Sequence, residues 1–93
     1  MIKSFDCKET ELIWNGFTSR KLPSDIQNVC RRKLRMIEAA IIIEDLRIPP
    51  GNHLEKLTGN LAGYYSISIN DQYRIIFNFD SGDAYNVKIK DYH

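Results

Sequence analysis

Tyr73-Arg74-Ile75-Ile76-Phe77-Asn78-Phe79 reads as a β-strand. Tyr73, Ile75, Phe77 and Phe79 recur at every second position and leave Arg74, Ile76 and Asn78 on the other side. Side chains alternate across a strand, so one face of this segment is a core face and the other carries a lone arginine. The same period continues on both sides. Upstream, Tyr65, Ile67 and Ile69 alternate with Ser66 and Ser68 before a turn at Asn70-Asp71. Downstream, Asp80-Ser81-Gly82-Asp83 has strong turn character, after which Tyr85, Val87 and Ile89 alternate with Asn86, Lys88 and Lys90. This pattern predicts an antiparallel meander running to Asp91-Tyr92-His93, with a further short strand at Leu54 to Leu57.

The N-terminal half has a different period. Ile26, Val29, Cys30, Leu34, Ile37 and Ile41 fall at helical spacing, which predicts a long helix with one buried stripe and with Arg31, Arg32, Arg35 and Glu38 exposed. Pro23-Ser24 followed by Gln27 marks its start. Asp6 with Glu9 fits a capping box, and Gly16 a C-terminal stop, for an earlier helix of about two and a half turns at 3.6 residues per turn. Ile2 to Phe5 reads as a first strand, and Pro49-Pro50-Gly51 ends the helical half. Strand, two helices and then a meander give an α+β fold in which helices cover one face of an antiparallel-rich sheet.

At 93 residues the chain has room for one domain, 1–93, with a modest core. Its longest apolar run, Ala39 to Ile43, is too short to span a bilayer, and the N-terminus lacks the apolar region of a signal peptide. Cys7 and Cys30 share no C-x-x-C spacing, so two reduced thiols in a cytoplasmic protein are expected. The net charge of +1 hides a basic block. Residues 20 to 37 hold Arg20, Lys21, Arg31, Arg32, Lys33 and Arg35 against the single acid Asp25. Such a block suits either a polyanion or acidic protein partner, or simply a solvated helix face. The two cysteines and two histidines have no metal-ligand spacing, and no phosphate-binding glycine loop or nucleophile elbow occurs, so neither metal nor cofactor is expected.

Read together, several blocks resemble the HigB toxins of the RelE/ParE superfamily of bacterial type II toxin–antitoxin systems. They are Met1-Ile2-Lys3-Ser4-Phe5, residues 49 to 57 (Pro-Pro-Gly-Asn-His-Leu-Glu-Lys-Leu), Gly63-Tyr64-Tyr65-Ser66-Ile67, Asn70-Asp71-Gln72-Tyr73-Arg74-Ile75 and the terminal Asp91-Tyr92-His93. The resemblance spans nearly the whole chain. It implies a RelE-like fold, with an N-terminal strand and two helices packed on one face of a twisted, mainly antiparallel sheet. It also implies a ribosome-dependent endoribonuclease that cuts translated mRNA without metal. The implied partners are the ribosome, mRNA and a helix-turn-helix antitoxin of the HigA type, with operator DNA reached only through that antitoxin.

Metal-free RNA cleavage needs a base for the 2′-hydroxyl proton, an acid for the leaving 5′-oxygen and a cation for the charged phosphate. Arg74 offers a planar, permanently charged fork for the third role, although an exposed strand arginine paired with a carboxylate is the plain structural alternative. His93 suits proton transfer, since an imidazole titrates near about 6.5. Tyr92 suits base stacking or proton donation, and Asp91 suits orienting Arg74 or His93. A regular strand places Asp91 and His93 on one face and Tyr92 on the other, so a shared site requires a bend or bulge near the strand end, and that departure is expected. Lys56, Glu55, His53, Lys88 and Lys90 are candidate RNA contacts, and Arg31, Arg32 and Arg35 candidate antitoxin contacts. The chain departs from the pattern of some HigB proteins, which carry a histidine and a lysine just before the glycine matching Gly59, where Glu55 and Thr58 stand here. A ParE-like inhibitor of a protein target such as DNA gyrase, or a weakened toxin acting mainly through its antitoxin, is therefore the alternative.

Overall fold

In the computed structural model, which describes residues 1–92, helix α1 spans Lys8–Trp14 and helix α2 spans Ser24–Ala39. Three short 3₁₀ turns, Ile43–Arg47, Pro50–Asn52 and Gly59–Leu61, fill the connections before and between the first strands. The strands are β1 (Glu55–Lys56), β2 (Tyr64–Ser68), β3 (Tyr73–Asp80) and β4 (Asp83–Asp91). They form one antiparallel sheet in the order β1-β2-β3-β4.

The expected first strand is reduced to two isolated parallel bridges, Ile2 to Ala84 and Phe5 to Val87. The segment still satisfies the outer edge of β4, with Lys3 N donating to Ala84 O at 2.8 Å and Val87 N to Ser4 O at 3.1 Å. The parallel N-terminal segment thus protects an edge that would otherwise present unpaired amides.

Ile26, Cys30, Leu34 and Ile37 form the buried stripe of α2 and meet Ile67, Ile75, Phe77 and Val87 from the sheet in one core. Burying each such aliphatic side chain contributes about 1.5–3 kcal/mol relative to leaving it exposed. Burial also pushes the Cys30 thiol up to about 12, and both cysteines are free. Ile41 leaves the stripe, because α2 ends at Ala39 and Ile41 is 77% exposed.

The helix boundaries fell close to expectation, yet their polar signals do other work. Cys7 rather than Asp6 caps α1, without a side-chain bond. Asp6 instead lies 3.5 Å from Lys88, and Glu9 accepts a hydrogen bond from Ser19. Gln27 caps nothing, and its side chain binds Ser19 N and O and Leu22 O, fixing the α1–α2 connector. The stop at Gly16 forms as expected: Phe17 N donates to Leu12 O and Gly16 N to Ile13 O, with Gly16 at φ +91. Arg31 completes this stop. Its Nε donates to Ile13 O at 3.1 Å and its Nη2 to Phe17 O at 2.8 Å, placing a cation at the negative end of α1.

The meander register is continuous from Tyr64 to Ser68 against Asn78 to Arg74, and from Tyr73 to Ile76 against Asp91 to Lys88. Ser81 and Gly82, both at positive φ, close the β3–β4 hairpin as a two-residue turn. The expected irregularity in β4 exists, but away from the strand end. Asn86 and Val87 both stand opposite Phe77, and Asn86 takes the left-handed φ of +55 that asparagine tolerates. The extra residue shifts the parity of the strand. Ala84 enters the core in place of Tyr85, which pairs with Asn78 on the outer face.

Candidate active site

The helix-free face of the sheet carries two rows of facing side chains. Ser68, Arg74 and Lys90 form one row, and Glu55, Ser66, Ile76 and Lys88 the next. Directly paired residues share a face, so these rows place Arg74 beside cations from β4 and an acid from β1.

Arg74 lies flat across β2 rather than extending into solvent, and its side chain is 14% exposed. Its Nε donates to Ser66 Oγ at 2.9 Å, and its Nη2 donates to His53 O at 2.6 Å and to Ser66 O at 3.4 Å. Glu55 Oε1 is 3.9 Å from Nη2. Nη1 donates no hydrogen bond among the described residues. The guanidinium is therefore held at one edge by fixed oxygens, with its other edge open for an anion. Such a fork needs little ordering when a phosphate arrives.

His53 reaches this cluster through its backbone. It follows the Pro50–Asn52 turn in a left-handed conformation, φ 45 and ψ 55, and its carbonyl faces Arg74. Its imidazole is exposed. Ser66, fully buried, is the anchor that sequence reasoning passed over. The alternation of β2 gives its face, but only the register reveals that it lies diagonally beside Arg74.

The tail divides between the two faces. β4 stays regular from Lys88 to Asp91, so Asp91 pairs with Tyr73 and turns to the face opposite Arg74. The bend expected near the terminus is absent there. The Asp91 carboxylate accepts from Gln72 Nε2 at 3.1 Å, and Tyr92 N donates to Gln72 O at 2.6 Å, which ties the strand end to the β2–β3 turn. Lys90 stays on the Arg74 face, with its ammonium 6.0 Å from the centre of the Tyr92 ring. His93 lies outside the described residues.

Two further expectations change. Lys56 pairs with Tyr65 and therefore sits on the helix side of the sheet, where it lines a concavity of about 260 Å³ with Ile43, Glu44, Arg47, Leu54 and Tyr65. It is on the wrong face to share a phosphate with Arg74. Arg31 caps α1, as described above, which leaves Arg32 and Arg35 as the exposed arginines of α2. Lys88 keeps its place in the row but pairs with Asp6 at 3.5 Å, a half-exposed contact worth about 0–1 kcal/mol. No helix among the described residues is long and apolar enough to cross a membrane.

Comparison with known proteins agrees with this architecture. The family of RelE-like toxins of the type II toxin–antitoxin system HigB matches residues 4–93. Toxin HigB-1 of Vibrio cholerae is 52% identical over 67 residues, covering 72% of this chain and 70% of that protein. Endoribonuclease HigB of Proteus vulgaris is 37% identical over 94 residues, covering all of both chains. Among solved structures, the YoeB-YefM toxin–antitoxin complex of Staphylococcus aureus matches 100% of this chain and 98% of its own, with a TM-score of 0.63 at 19% identity. A YoeB/ParE toxin from Agrobacterium tumefaciens matches with a TM-score of 0.52 at 15% identity, covering 96% of each chain. These last two likenesses concern the fold, which is that of the RelE-like toxins. With the family match running through both the helical half and the meander, this chain belongs to the HigB family of RelE-like toxins of type II toxin–antitoxin systems.

Proposed function

We propose that this chain is an endoribonuclease that cuts messenger RNA on the ribosome without a metal ion, and that Arg74 grips the scissile phosphate. The observation that carries the reading is the partly buried guanidinium, held on one edge by Ser66 and His53 O and open on the other. Family membership and the name of the Proteus vulgaris relative support RNA as the substrate.

In this reading the RNA lies over the helix-free face. A base removes the proton of the 2′-hydroxyl, the 2′-oxygen bonds to phosphorus, and the bond to the 5′-oxygen breaks as that oxygen takes up a proton. The products are a 2′,3′-cyclic phosphate and a 5′-hydroxyl. Arg74 stabilises the charge that builds on the phosphate, which is the costliest part of the step. Glu55, exposed and next to Arg74, is the proposed base, and His93 the proposed acid. Tyr92 stacks on a flanking base, with Lys90 behind it as a second phosphate contact. Asp91 acts through Gln72 as a positioning residue for the tail.

A HigA-type antitoxin is the proposed protein partner, as YefM is found with YoeB. The exposed Arg32 and Arg35 of α2 suit an acidic surface on it, and operator DNA would be reached only through that antitoxin.

The test is translation in a reconstituted system with mapping of mRNA ends. Wild type is expected to produce cuts in ribosome-bound message with cyclic-phosphate ends, and Arg74→Ala to reduce them by about 100-fold or more. An absence of cuts by wild type, with inhibition of gyrase supercoiling instead, would replace this reading with that of a protein-directed inhibitor.

A further inference from the structure

Lys33 stands out among the charged side chains of the molecule. It lies in the middle of α2 and is only 7% exposed, although Arg32 and Arg35 beside it in the basic block face solvent. Its ammonium donates to Asn52 Oδ1, and Asn52 is fully buried. No carboxylate pairs with Lys33 among the described residues. Desolvation, and secondarily the Arg32 charge, lower its pKa. A buried cation with a neutral partner is a poor way to gain stability, since removing a charge from water costs more than one amide acceptor returns.

Its geometry suits a different purpose. An ammonium only donates, so it selects the oxygen end of the Asn52 amide and excludes the flipped orientation. The nitrogen end then faces Leu46 O at 3.1 Å and Ile48 O at 3.5 Å, and Met36 Sδ at 3.8 Å. The Asn52 backbone N donates to Pro49 O at 2.9 Å. Asn52 thereby fastens the Pro50–Asn52 turn to α2 and to the 3₁₀ turn before it. The next residue is His53, whose left-handed backbone aims its carbonyl at Arg74 Nη2.

We infer that Lys33 and Asn52 are positioning residues that set Arg74 through the carbonyl of His53, in a relay running from α2 through the Pro50–Asn52 turn to the open face of the sheet. The inference rests on the nuclease reading for its rate measurements, and its structural half stands apart from that reading. Without the Lys33–Asn52 contact the turn loses its fixed orientation, His53 O drifts, and the guanidinium keeps only its bonds to Ser66.

The test uses the full chain and four proteins: wild type, Lys33→Met, Arg74→Ala and the double variant. Cleavage is followed as a single-turnover rate at saturating programmed ribosomes, with half-saturating concentration measured separately. Methionine keeps the length and apolar stem of lysine and removes a buried charge, but it leaves Asn52 Oδ1 without its donor. Thermal unfolding of Lys33→Met is therefore expected to stay cooperative, with a midpoint roughly several degrees below wild type at most. The single-turnover rate is expected to fall about 10- to 100-fold with little change in half-saturation, as for a reacting group displaced by about an ångström. In the Arg74→Ala background, Lys33→Met is expected to cost nothing further, because a residue acting through Arg74 has nothing left to position. The Arg74 side-chain NMR signals should show faster rotation of the guanidinium in Lys33→Met than in wild type.

An equal loss in both backgrounds, or full cleavage by Lys33→Met, overturns the proposal and leaves the nuclease reading intact. Failure of wild type to cut overturns the nuclease reading, and the NMR comparison then still decides whether Lys33 orders Arg74. If Lys33→Met does not fold, Asn52→Asp carries the same cycle. It keeps an acceptor for Lys33 but removes the donors to Leu46 O and Ile48 O, and unchanged cleavage by it would equally end the proposal.

Discussion

Arg74 and Lys90 face each other across one ladder row of the same sheet face, yet the fold treats them oppositely. Arg74 has surrendered its freedom: three oxygen contacts from two segments hold it against β2, and little of its side chain meets water. Lys90 is exposed, and its ammonium stands 6.0 Å from the centre of the Tyr92 ring with no hydrogen bond among the described residues. The conformational entropy of Arg74 is lost once, on folding, and not again on each encounter with a ligand. Lys90 keeps its rotamers and its water and is suited to a contact that tolerates variation. A reacting phosphate needs the first kind of cation, and a passing backbone phosphate the second.

The strongest way to break this contrast is to give position 74 the character of position 90. Arg74→Lys keeps the charge but loses the fork, so it cannot bind Ser66 Oγ and His53 O while presenting a free edge to phosphate. Cleavage of ribosome-bound message is expected to fall by about 100-fold, close to the loss in Arg74→Ala. Retention of more than about a third of the wild-type rate would show that charge alone suffices.

A milder change loosens Arg74 without removing it. Ser66→Ala deletes the acceptor of Nε while the backbone oxygen of residue 66 remains. The expected result is a roughly 10-fold slower cleavage step. A stability loss of about 1 kcal/mol should accompany it, read by denaturant unfolding, since a partly buried donor goes unpaired. Unchanged cleavage with the same stability loss would make Ser66 a purely structural partner.

The contrast was half legible in the sequence. The period of two from Tyr73 to Phe79 puts Arg74 on the face away from the core, and the apolar stripe of α2 tells which face the helices take. What makes Arg74 special was not legible. Its acceptors belong to a serine one strand over and a carbonyl in a left-handed turn, and both depend on register and loop conformation. The same limit explains Asp6, Glu9 and Gln27. Each has a polar side chain with several partners in reach, and tertiary contacts with Lys88, Ser19 and the α1–α2 connector outcompete local capping. Tyr85 was misplaced for another reason. A bulge costs one residue of pairing, and a strand of alternating pattern hides it unless the left-handed Asn86 is recognised. Lys33 sits in a basic run that composition reads as solvated, and only the coordinates separate it from its exposed neighbours.

The smallest expected effect belongs to Lys90 itself. If it contacts a phosphate loosely, Lys90→Ala should leave the cleavage step at saturation unchanged and weaken binding by only about two- to fivefold at moderate salt. The informative measurement is the salt dependence of binding to programmed ribosomes. Losing one phosphate contact should reduce the slope of log affinity against log salt by about one unit, with the same decrement for every message sequence. A slope unchanged by Lys90→Ala would remove Lys90 from the RNA path and leave its ammonium as a neighbour of the Tyr92 ring. A fall in the saturated cleavage rate would do the reverse, making Lys90 a participant at the reacting phosphate and erasing the distinction between the fixed and the mobile cation.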